Sequence, residues 1–250
     1  MISGHAAIRD AYRDETVARE YVDTRFREPL GAMLHARQVG ALKRIIRARR
    51  PRRILEIAPG PGRLTVDVSS SISPHTALPV LVEASAQMLA EARRRLAGSG
   101  GWRALQGDAF NLPFGPAFEL VYVFRLIRHF RSSERVALYR QIAQVLRPGG
   151  LLVFDAINET VSAPIRANAQ AGEYEHFDAL TRPDVLEAEL GEAGLELVSL
   201  EGVQHSYPAL ARIQILVAPR SRLLARLAIE LTDRVRGGPP LEWIVTCRRR

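Results

Sequence analysis

The chain has 250 residues, of which 47% are apolar and 25% charged, and its formal net charge at pH 7 is +8. This composition is typical of a globular protein with a full core. No run approaches the roughly 18 apolar residues that a membrane-spanning helix needs, and the N-terminus lacks the apolar stretch of a secretory signal. Cys247 is the only cysteine, which excludes an intramolecular disulfide and leads us to expect a cytoplasmic protein.

The positive charge comes almost entirely from arginine, because Lys43 is the only lysine. The densest basic cluster, residues 43–53, lies at the end of a predicted helix, where cations complement the helix dipole. We interpret this cluster as a solvated helix end rather than as a nucleic-acid-binding patch. We therefore do not expect nucleic acid as a partner.

The first two-thirds of the chain change from a helical pattern to an alternating one. Residues 5–50 carry apolar side chains at helical spacing and predict a helical N-terminal cap. Strands and helices then alternate, and Ser85 and either Ser132 or Ser133 are predicted N-caps. This alternation predicts an α/β fold whose parallel sheet is covered by helices on both faces. The predicted strands are 53–57, 78–83, 102–106, 119–124 and 151–155.

The last hundred residues have a different pattern. Residues 158–175 are polar and predict an irregular flap or insertion, followed by a helix over 182–190 and strands over 194–203 and 241–248. Between these two strands, five residues mark one apolar helical face. We interpret this face as core packing or a homodimer contact rather than as a membrane attachment. The five residues are Leu224, Leu227, Ala228, Leu231 and Val235.

A glycine-rich turn follows the first predicted strand. This strand ends at Glu56-Ile57 and passes through Ala58-Pro59-Gly60-Pro61-Gly62 into the opening turn of a helix. Because glycine lacks a Cβ atom, the backbone at Gly60 and Gly62 can turn sharply and approach a ligand closely. A strand, a glycine turn and a helix N-terminus together form a nucleotide cradle, although this signal alone is weak.

Polar residues follow the next three strands at the ends where open α/β sheets bind ligands. Glu83 ends the second strand, and its carboxylate can accept both hydroxyl protons of a ribose. Asp108 follows the third strand within Gly107-Asp108-Ala109, where it can accept a hydrogen bond from the adenine amine. Arg125 and His129 follow the fourth strand.

With these four motifs in this order, the chain resembles the class I S-adenosylmethionine-dependent methyltransferases, most of all the small-molecule subgroup that includes ubiquinone/menaquinone-type enzymes. The resemblance covers residues 53–155 motif by motif. It implies a Rossmann-like, doubly wound, seven-stranded sheet, mostly parallel with an antiparallel last strand. It also implies S-adenosyl-L-methionine as the cofactor and a small-molecule acceptor with an O, N or C nucleophile, such as a secondary metabolite, quinone or glycan precursor.

The resemblance also implies roles for particular residues. Glu56 would support the glycine loop, Glu83 would hold the ribose, and Asp108 would meet the adenine amine. A tyrosine of the N-terminal segment would cover the cofactor, with Tyr21 the first candidate and Tyr12 the second. The cofactor-binding residues implied are Tyr21, Glu56, Ala58, Gly60, Gly62, Glu83, Ala84, Met88, Gly107, Asp108, Ala109, Phe124 and Arg125.

The chain departs from the family pattern at two places, and other functions stay open. Ala58 replaces the usual first glycine, and prolines flank Gly60. A nicotinamide-dependent dehydrogenase would need a further glycine where the chain has Thr65. A nucleic-acid methyltransferase, or a protein that binds the cofactor without catalysis, remains an alternative.

The acceptor side carries the predicted catalytic residues. His129 is positioned to act as a base, although packing of the next helix explains it equally simply. Arg125 and Arg128 indicate an anionic group on the acceptor, with surface charges as the alternative. His176 and His205 are further candidates for the acceptor pocket, and no residue spacing predicts a metal site. We divide the single predicted domain into a helical cap (1–50), a cofactor-binding core (51–157) and an acceptor-side region with the last two strands (158–250).

Overall fold

The computed structural model describes residues 26–98, 101–169, 177–235 and 237–250. The predicted roles of Tyr12, Tyr21 and His176 fall outside these described residues. Within them, no helix is both long enough and apolar enough to cross a bilayer.

The described strands all belong to one sheet. They are β1 (Ile54–Ile57), β2 (Val80–Glu83), β3 (Arg103–Gln106), β4 (Phe118–Val123), β5 (Leu146–Asn158), β6 (Leu180–Thr181), β7 (Leu195–His205) and β8 (Pro240–Arg249).

Eight α-helices connect or cover these strands in the described ranges. They are α1 (Pro29–Arg49), α2 (Arg63–Val68), α3 (Ala86–Leu96), α4 (Ser132–Val145), α5 (Glu159–Ala167), α6 (Pro183–Glu192), α7 (Tyr207–Val217) and α8 (Arg222–Val235).

The strand order is β3-β2-β1-β4-β5-β8-β7. β1 to β5 pair in parallel, whereas β8 runs antiparallel to both β5 and β7. The predicted Rossmann-like sheet with its antiparallel last strand is therefore confirmed. The two-residue strand β6 pairs with the end of β5 and is an eighth strand of the sheet. No apolar run in the sequence predicts it.

Helices cover both faces of the sheet, and the central strand β4 is buried as a result. Leu120, Val121, Tyr122 and Val123 are each at most 1% exposed. One face packs against side chains of α1 and α2, and the other face packs against side chains of α4 and α6. Burial on both faces explains why these strands have continuous apolar runs rather than alternating ones.

The structure differs from the predicted elements at three places. Residues 159–167, predicted to be irregular, form α5, whose first turn is capped by the Asn158 side chain accepting from the Thr160 N–H. α7 was not predicted at all. The predicted cap at Ser132 or Ser133 is wrong by one residue, because the N-cap of α4 is Arg131 and its N–H donates to the Glu134 carboxylate.

The apolar face of α8 is exposed, so the core-packing interpretation is wrong, while the homodimer contact stays a prediction. Leu224, Leu227, Leu231 and Val235 are 55 to 78% exposed. The side of α8 that is buried carries instead Ala225, Ile229 and Asp233. Periodicity identified an amphipathic helix correctly but could not tell which side faces the protein.

Candidate functional site

The sheet has a topological switch point between β1 and β4. β2 and β3 extend the sheet on one side of this pair, and β5 extends it on the other. Parallel pairing brings the carboxyl ends of β1 to β4 to one edge. In open α/β sheets, ligands bind in the crevice outside such strand ends. All four predicted motifs follow strands that end here.

The turn after β1 adopts backbone conformations that favour glycine. Gly60 and Gly62 have φ values of 57° and 74°. A Cβ atom on Gly62 would lie 3.4 Å from the backbone and Cβ of Ala92 in α3, so this turn also packs closely on a neighbouring helix. Ala58 has φ of 50°, which costs a residue with a Cβ about 1 kcal/mol. Alanine is therefore accommodated at position 58 with a small amount of backbone strain.

Glu83 connects the end of β2 to the glycine turn. Its carboxylate accepts from the Gly60 N–H at 3.0 Å and from the Ser85 N–H at 2.9 Å. Burial raises the pKa of Glu83, while these backbone donors oppose the shift. A carboxylate has about four lone-pair sites, and the Ala84 N–H is a third backbone donor, so Glu83 keeps the capacity to accept about one more hydrogen bond. Ser85 caps α3 as predicted, since its hydroxyl accepts from the Met88 N–H.

Glu56 lies beneath the glycine turn and is buried. Its carboxylate accepts from the Thr65 hydroxyl at 2.5 Å and from the Tyr122 hydroxyl at 2.8 Å. Burial raises its pKa to about 7, although both hydroxyl donors lower it. These bonds connect the first turn of α2 to β1 and β4. Glu56 therefore lies where a residue that supports the glycine loop would have to lie.

The turn after β3 lies beside the turn after β2. The Gly107 N–H donates to the Glu83 carbonyl at 3.0 Å, and the Gln106 side chain donates to the Ala84 carbonyl at 3.2 Å. A Cβ atom on Gly107 would lie only 3.1 Å from a methyl group of Val82. The Asp108 carboxylate accepts from the Phe110 N–H at 2.9 Å, which fixes the conformation of this turn.

A small cavity of about 30 Å³ separates the glycine turn from the end of β4. Five of the predicted site residues line it together with Pro59, Arg63 and Leu64. These five are Glu56, Ala58, Gly60, Phe124 and Arg125.

A second cavity, of about 360 Å³, lies on the other side of Arg125, which lines both. Its wall combines apolar side chains such as Leu34 and Ile157 with the charged side chains of Arg128 and Asp178. The volume falls within the range typical of small-molecule pockets. Arg125 therefore stands between a crevice of the nucleotide-binding type and a cavity large enough for a second ligand.

The two arginines after β4 differ in their partners. Arg128 is buried, and its guanidinium lies 2.7 Å from Asp155 and 2.9 Å from Glu242. Burial alone would lower the pKa of Arg128, but these carboxylates raise it above its ordinary value. The Arg125 guanidinium, by contrast, has no carboxylate partner in the described part of the chain. The Nε atoms of both arginines are buried without a hydrogen-bond acceptor. Of these two arginines, Arg125 is therefore the one available to bind an external anion.

His129 is buried and lines neither cavity. Its Nδ1 lies 3.0 Å from the Phe177 carbonyl and 3.2 Å from the Asp178 carboxylate. Burial would raise the pKa of Asp178, but His129, Arg128 and Arg166 hold it below its ordinary value. These contacts agree with the packing interpretation, and the role of His129 as a base stays a prediction. His205, the other histidine candidate, lies 3.6 Å from Asp233 rather than at a cavity wall.

Three further site residues were not predicted from the sequence. Asp155 accepts from the Arg125 N–H at 2.6 Å. It follows the apolar residues 151–154 of β5 much as Glu83 follows the apolar residues of β2, a signal that could have identified it. The Arg63 guanidinium lies 4.0 Å above the Phe26 ring, against α1. No local pattern predicts this contact, because its two residues are distant in the sequence.

Comparison with known protein families matches residues 54–150 to a methyltransferase domain family. This part of the chain therefore matches a methyltransferase domain. The match begins at β1 and ends in β5, so it contains every strand end that lines the crevice.

This chain also resembles individual curated proteins over a limited stretch. It is 30% identical over 125 residues to a ubiquinone/menaquinone biosynthesis C-methyltransferase, UbiE, of Coxiella burnetii. That alignment covers 48% of this chain and 49% of the relative, so the chain spans about half the length of the curated relatives it matches.

Solved structures show the same fold over nearly the whole chain. The magnesium protoporphyrin IX methyltransferase ChlM of Synechocystis PCC 6803, solved with bound SAH, has a TM-score of 0.68 at 13% identity and covers 99% of this chain and 100% of its own. The [4+2]-cyclase SpnF has a TM-score of 0.54 at 20% identity, covering 84% and 80%. The second likeness illustrates that this fold alone does not determine the reaction.

Proposed function

We propose that this protein transfers a methyl group from S-adenosyl-L-methionine to a small-molecule acceptor that carries an anionic group. The observation that carries the proposal is the convergence of the Gly60 turn, Glu83 and the Asp108 turn at one sheet edge, next to a cavity whose wall includes an arginine with no acidic partner among the described residues. The similarity to a ubiquinone/menaquinone C-methyltransferase and to a porphyrin methyltransferase supports the reaction class.

The described residues fit an adenosyl cofactor. Glu83 would accept from the ribose with its remaining lone-pair site, and Asp108 would accept from the adenine amine. Without Cβ atoms at Gly60 and Gly62, the loop backbone can lie directly against the methionine part. The small cavity beside Arg125 has a volume of about 30 Å³ and is lined by neither Glu83 nor Asp108, so it would hold only part of the cofactor.

The bound cofactor supplies the chemistry, an electrophilic methyl group on a sulfonium. The chain then has to hold the acceptor in line with this methyl group and exclude water. Phe124, buried at the end of β4, gives the crevice an apolar wall. The residue after Phe124 is Arg125, whose backbone N–H donates to the Asp155 carboxylate. This bond holds the Arg125 side chain at the boundary between the two cavities.

The proposed acceptor is anionic because of the Arg125 guanidinium. A planar guanidinium binds carboxylate or phosphate oxygens in pairs, and these charge-assisted bonds are about twice as strong as neutral ones. With Arg128 neutralised by Asp155 and Glu242, Arg125 is the cation in the larger cavity without an acidic partner in the described residues. An anionic substituent on the acceptor would supply the missing partner.

The test is a turnover screen with the full chain and cofactor labelled in the transferred methyl group. The acceptors tested are phenols, quinols and amines. Each is offered as a pair of compounds that differ only by the presence of a carboxylate or phosphate group. We expect turnover with the anionic members, and we expect Arg125→Gln to raise their KM by about tenfold or more, the loss expected for one charge-assisted pair.

Arg248→Gln, which changes an exposed arginine paired with Glu196, is the matched control and should leave KM unchanged. Turnover that favours neutral acceptors, with no effect of Arg125→Gln, would refute the anionic acceptor. Cofactor binding without turnover on any pair would favour the non-catalytic alternative.

A further inference from the structure

Helices α7 and α8 form a hairpin whose outer side is apolar. Seven large side chains are 55 to 78% exposed there. Four of them lie beside the connection between the helices, two at the end of α7 and two at the start of α8, and form one patch. The other three continue along α8. We call these seven residues the hairpin face: Ile215, Leu216, Leu223, Leu224, Leu227, Leu231 and Val235. Monomeric proteins rarely expose contiguous apolar patches of this kind without a partner.

The hairpin face is distinct from the side that anchors the hairpin. Leu210 of α7 and Ile229 of α8 are fully buried in a cluster with Leu30 and Met33 of α1. Ala225, one turn before Ile229, is also fully buried. Because α1 already occupies the anchoring side, the outer apolar residues are not needed for packing within the described structure.

The charges around the hairpin face are positive. The two acids of α8, Glu230 and Asp233, both accept hydrogen bonds from Arg37 of α1, whose single charge offsets one of theirs. Arg212 and Arg226 are exposed and have no acidic partner among the described residues. Three further exposed arginines belong to the hairpin: Arg220 lies in the connection, Arg222 is paired with Glu28, and Arg234 lies 3.5 Å from Glu230. Across residues 207–235 the hairpin therefore carries five arginines and only two acids beside its apolar side chains.

We propose that the hairpin face docks on the surface of an anionic phospholipid bilayer. Helices with large apolar side chains on one face and arginines beside them lie in the interface plane, and an anionic leaflet attracts each basic residue by about 1 kcal/mol. A second copy of the chain is a poorer occupant, because a two-fold contact would bring the same arginines against each other. Charge complementarity selects the bilayer.

This surface lies beside the larger cavity. Tyr207 and Gln214 of α7 line that cavity, while Ile215 and Leu216, the next residues along the helix, belong to the hairpin face. A docked hairpin would therefore hold the cavity close to the lipid headgroups. The proposal does not depend on methyl transfer, since it rests on the exposure and charge of α7 and α8 alone.

The test is co-sedimentation of the full chain with vesicles of phosphatidylcholine containing phosphatidylglycerol, compared with vesicles of phosphatidylcholine alone. We expect binding to the anionic vesicles that weakens as the salt concentration rises. Replacing both unpaired arginines, Arg212→Gln with Arg226→Gln, should weaken binding by about tenfold or more. The double variant Leu227→Gln with Leu231→Gln should weaken it by a similar factor.

The matched control is Leu105→Gln with Val198→Gln, which changes two exposed apolar residues on strands outside the hairpin and should leave binding unchanged. Equal loss of binding in this control would overturn the assignment of the hairpin face. The proposal would also be overturned if the protein did not bind anionic vesicles. A protein that does not bind them, but whose mass in solution doubles in a way that depends on the same leucines, is one such outcome.

Discussion

The Asp155 carboxylate holds the backbone of Arg125 in a left-handed conformation. One oxygen accepts from the Arg125 N–H at 2.6 Å, and Arg125 has φ of 61°, which is rare for a residue with a side chain. The other oxygen lies 2.7 Å from the Arg128 guanidinium. One buried acid thus fixes both the residue that separates the two cavities and the buried cation behind it.

Asp155→Asn should destabilise the protein by about 2 kcal/mol, because it removes one of the two charged partners of the buried Arg128 guanidinium and leaves Glu242 as the other. The amide oxygen can still accept from Arg125, but the amide nitrogen cannot compensate Arg128. Urea denaturation of the full chain measures the change. Asp184→Asn, in an exposed pair with Arg182, is the control and should leave the midpoint unchanged. Equal stability of the two variants would mean that Asp155 is not the clamp described here.

Glu56 should make stability depend on pH. Its pKa of about 7 in the folded state exceeds its ordinary value of 4.5, so the folded protein binds a proton that the unfolded chain releases between these pH values. This carboxyl therefore contributes less stability as pH rises from 4.5 to 7, and its contribution is constant above pH 7.

Glu56→Gln removes this titration. The free energy of unfolding of the natural protein minus that of the variant should fall by about 3 kcal/mol between pH 4.5 and pH 8, as measured by denaturation at several pH values. A difference that stays constant across this range would show that Glu56 is ionised in the fold throughout.

Asp108→Asn separates a ligand role from a structural one. The amide oxygen can still accept from the Phe110 N–H, so the turn after β3 and the thermal midpoint should be preserved. Loss of the charge should weaken S-adenosylhomocysteine binding by about tenfold, which equals about 1.4 kcal/mol. Calorimetry with both proteins measures the effect, and unchanged affinity would remove Asp108 from the site.

The cofactor side of the site was predictable because local sequence determines it. A buried strand, a turn that needs glycine and an acid at the strand end recur at fixed positions, as with Gly60 and Glu83. Parallel pairing then brings separate turns to one edge without further information. The same reasoning could have identified Asp155 at the end of β5.

The acceptor side was not predictable, because it depends on contacts between distant segments. The charge of Arg128 is compensated in part by Glu242, which lies 114 positions later in the sequence. Arg125 is therefore the arginine without an acidic partner among the described residues. The apolar stripe of α8 has the same periodicity whether it faces the core or solvent, and only the position of α1 decides between them. Pro164 and a polar composition concealed α5.

Calorimetric titration of the full chain with S-adenosylhomocysteine, for the natural protein and for Glu83→Gln, tests the convergence of the strand ends most directly. We expect saturable binding to the natural protein, weakened about tenfold or more in the variant, which loses a charged acceptor. Glu196→Gln, in an exposed pair with Arg248, is the control and should bind like the natural protein. No binding at millimolar ligand, or equal binding to all three proteins, would contradict the account.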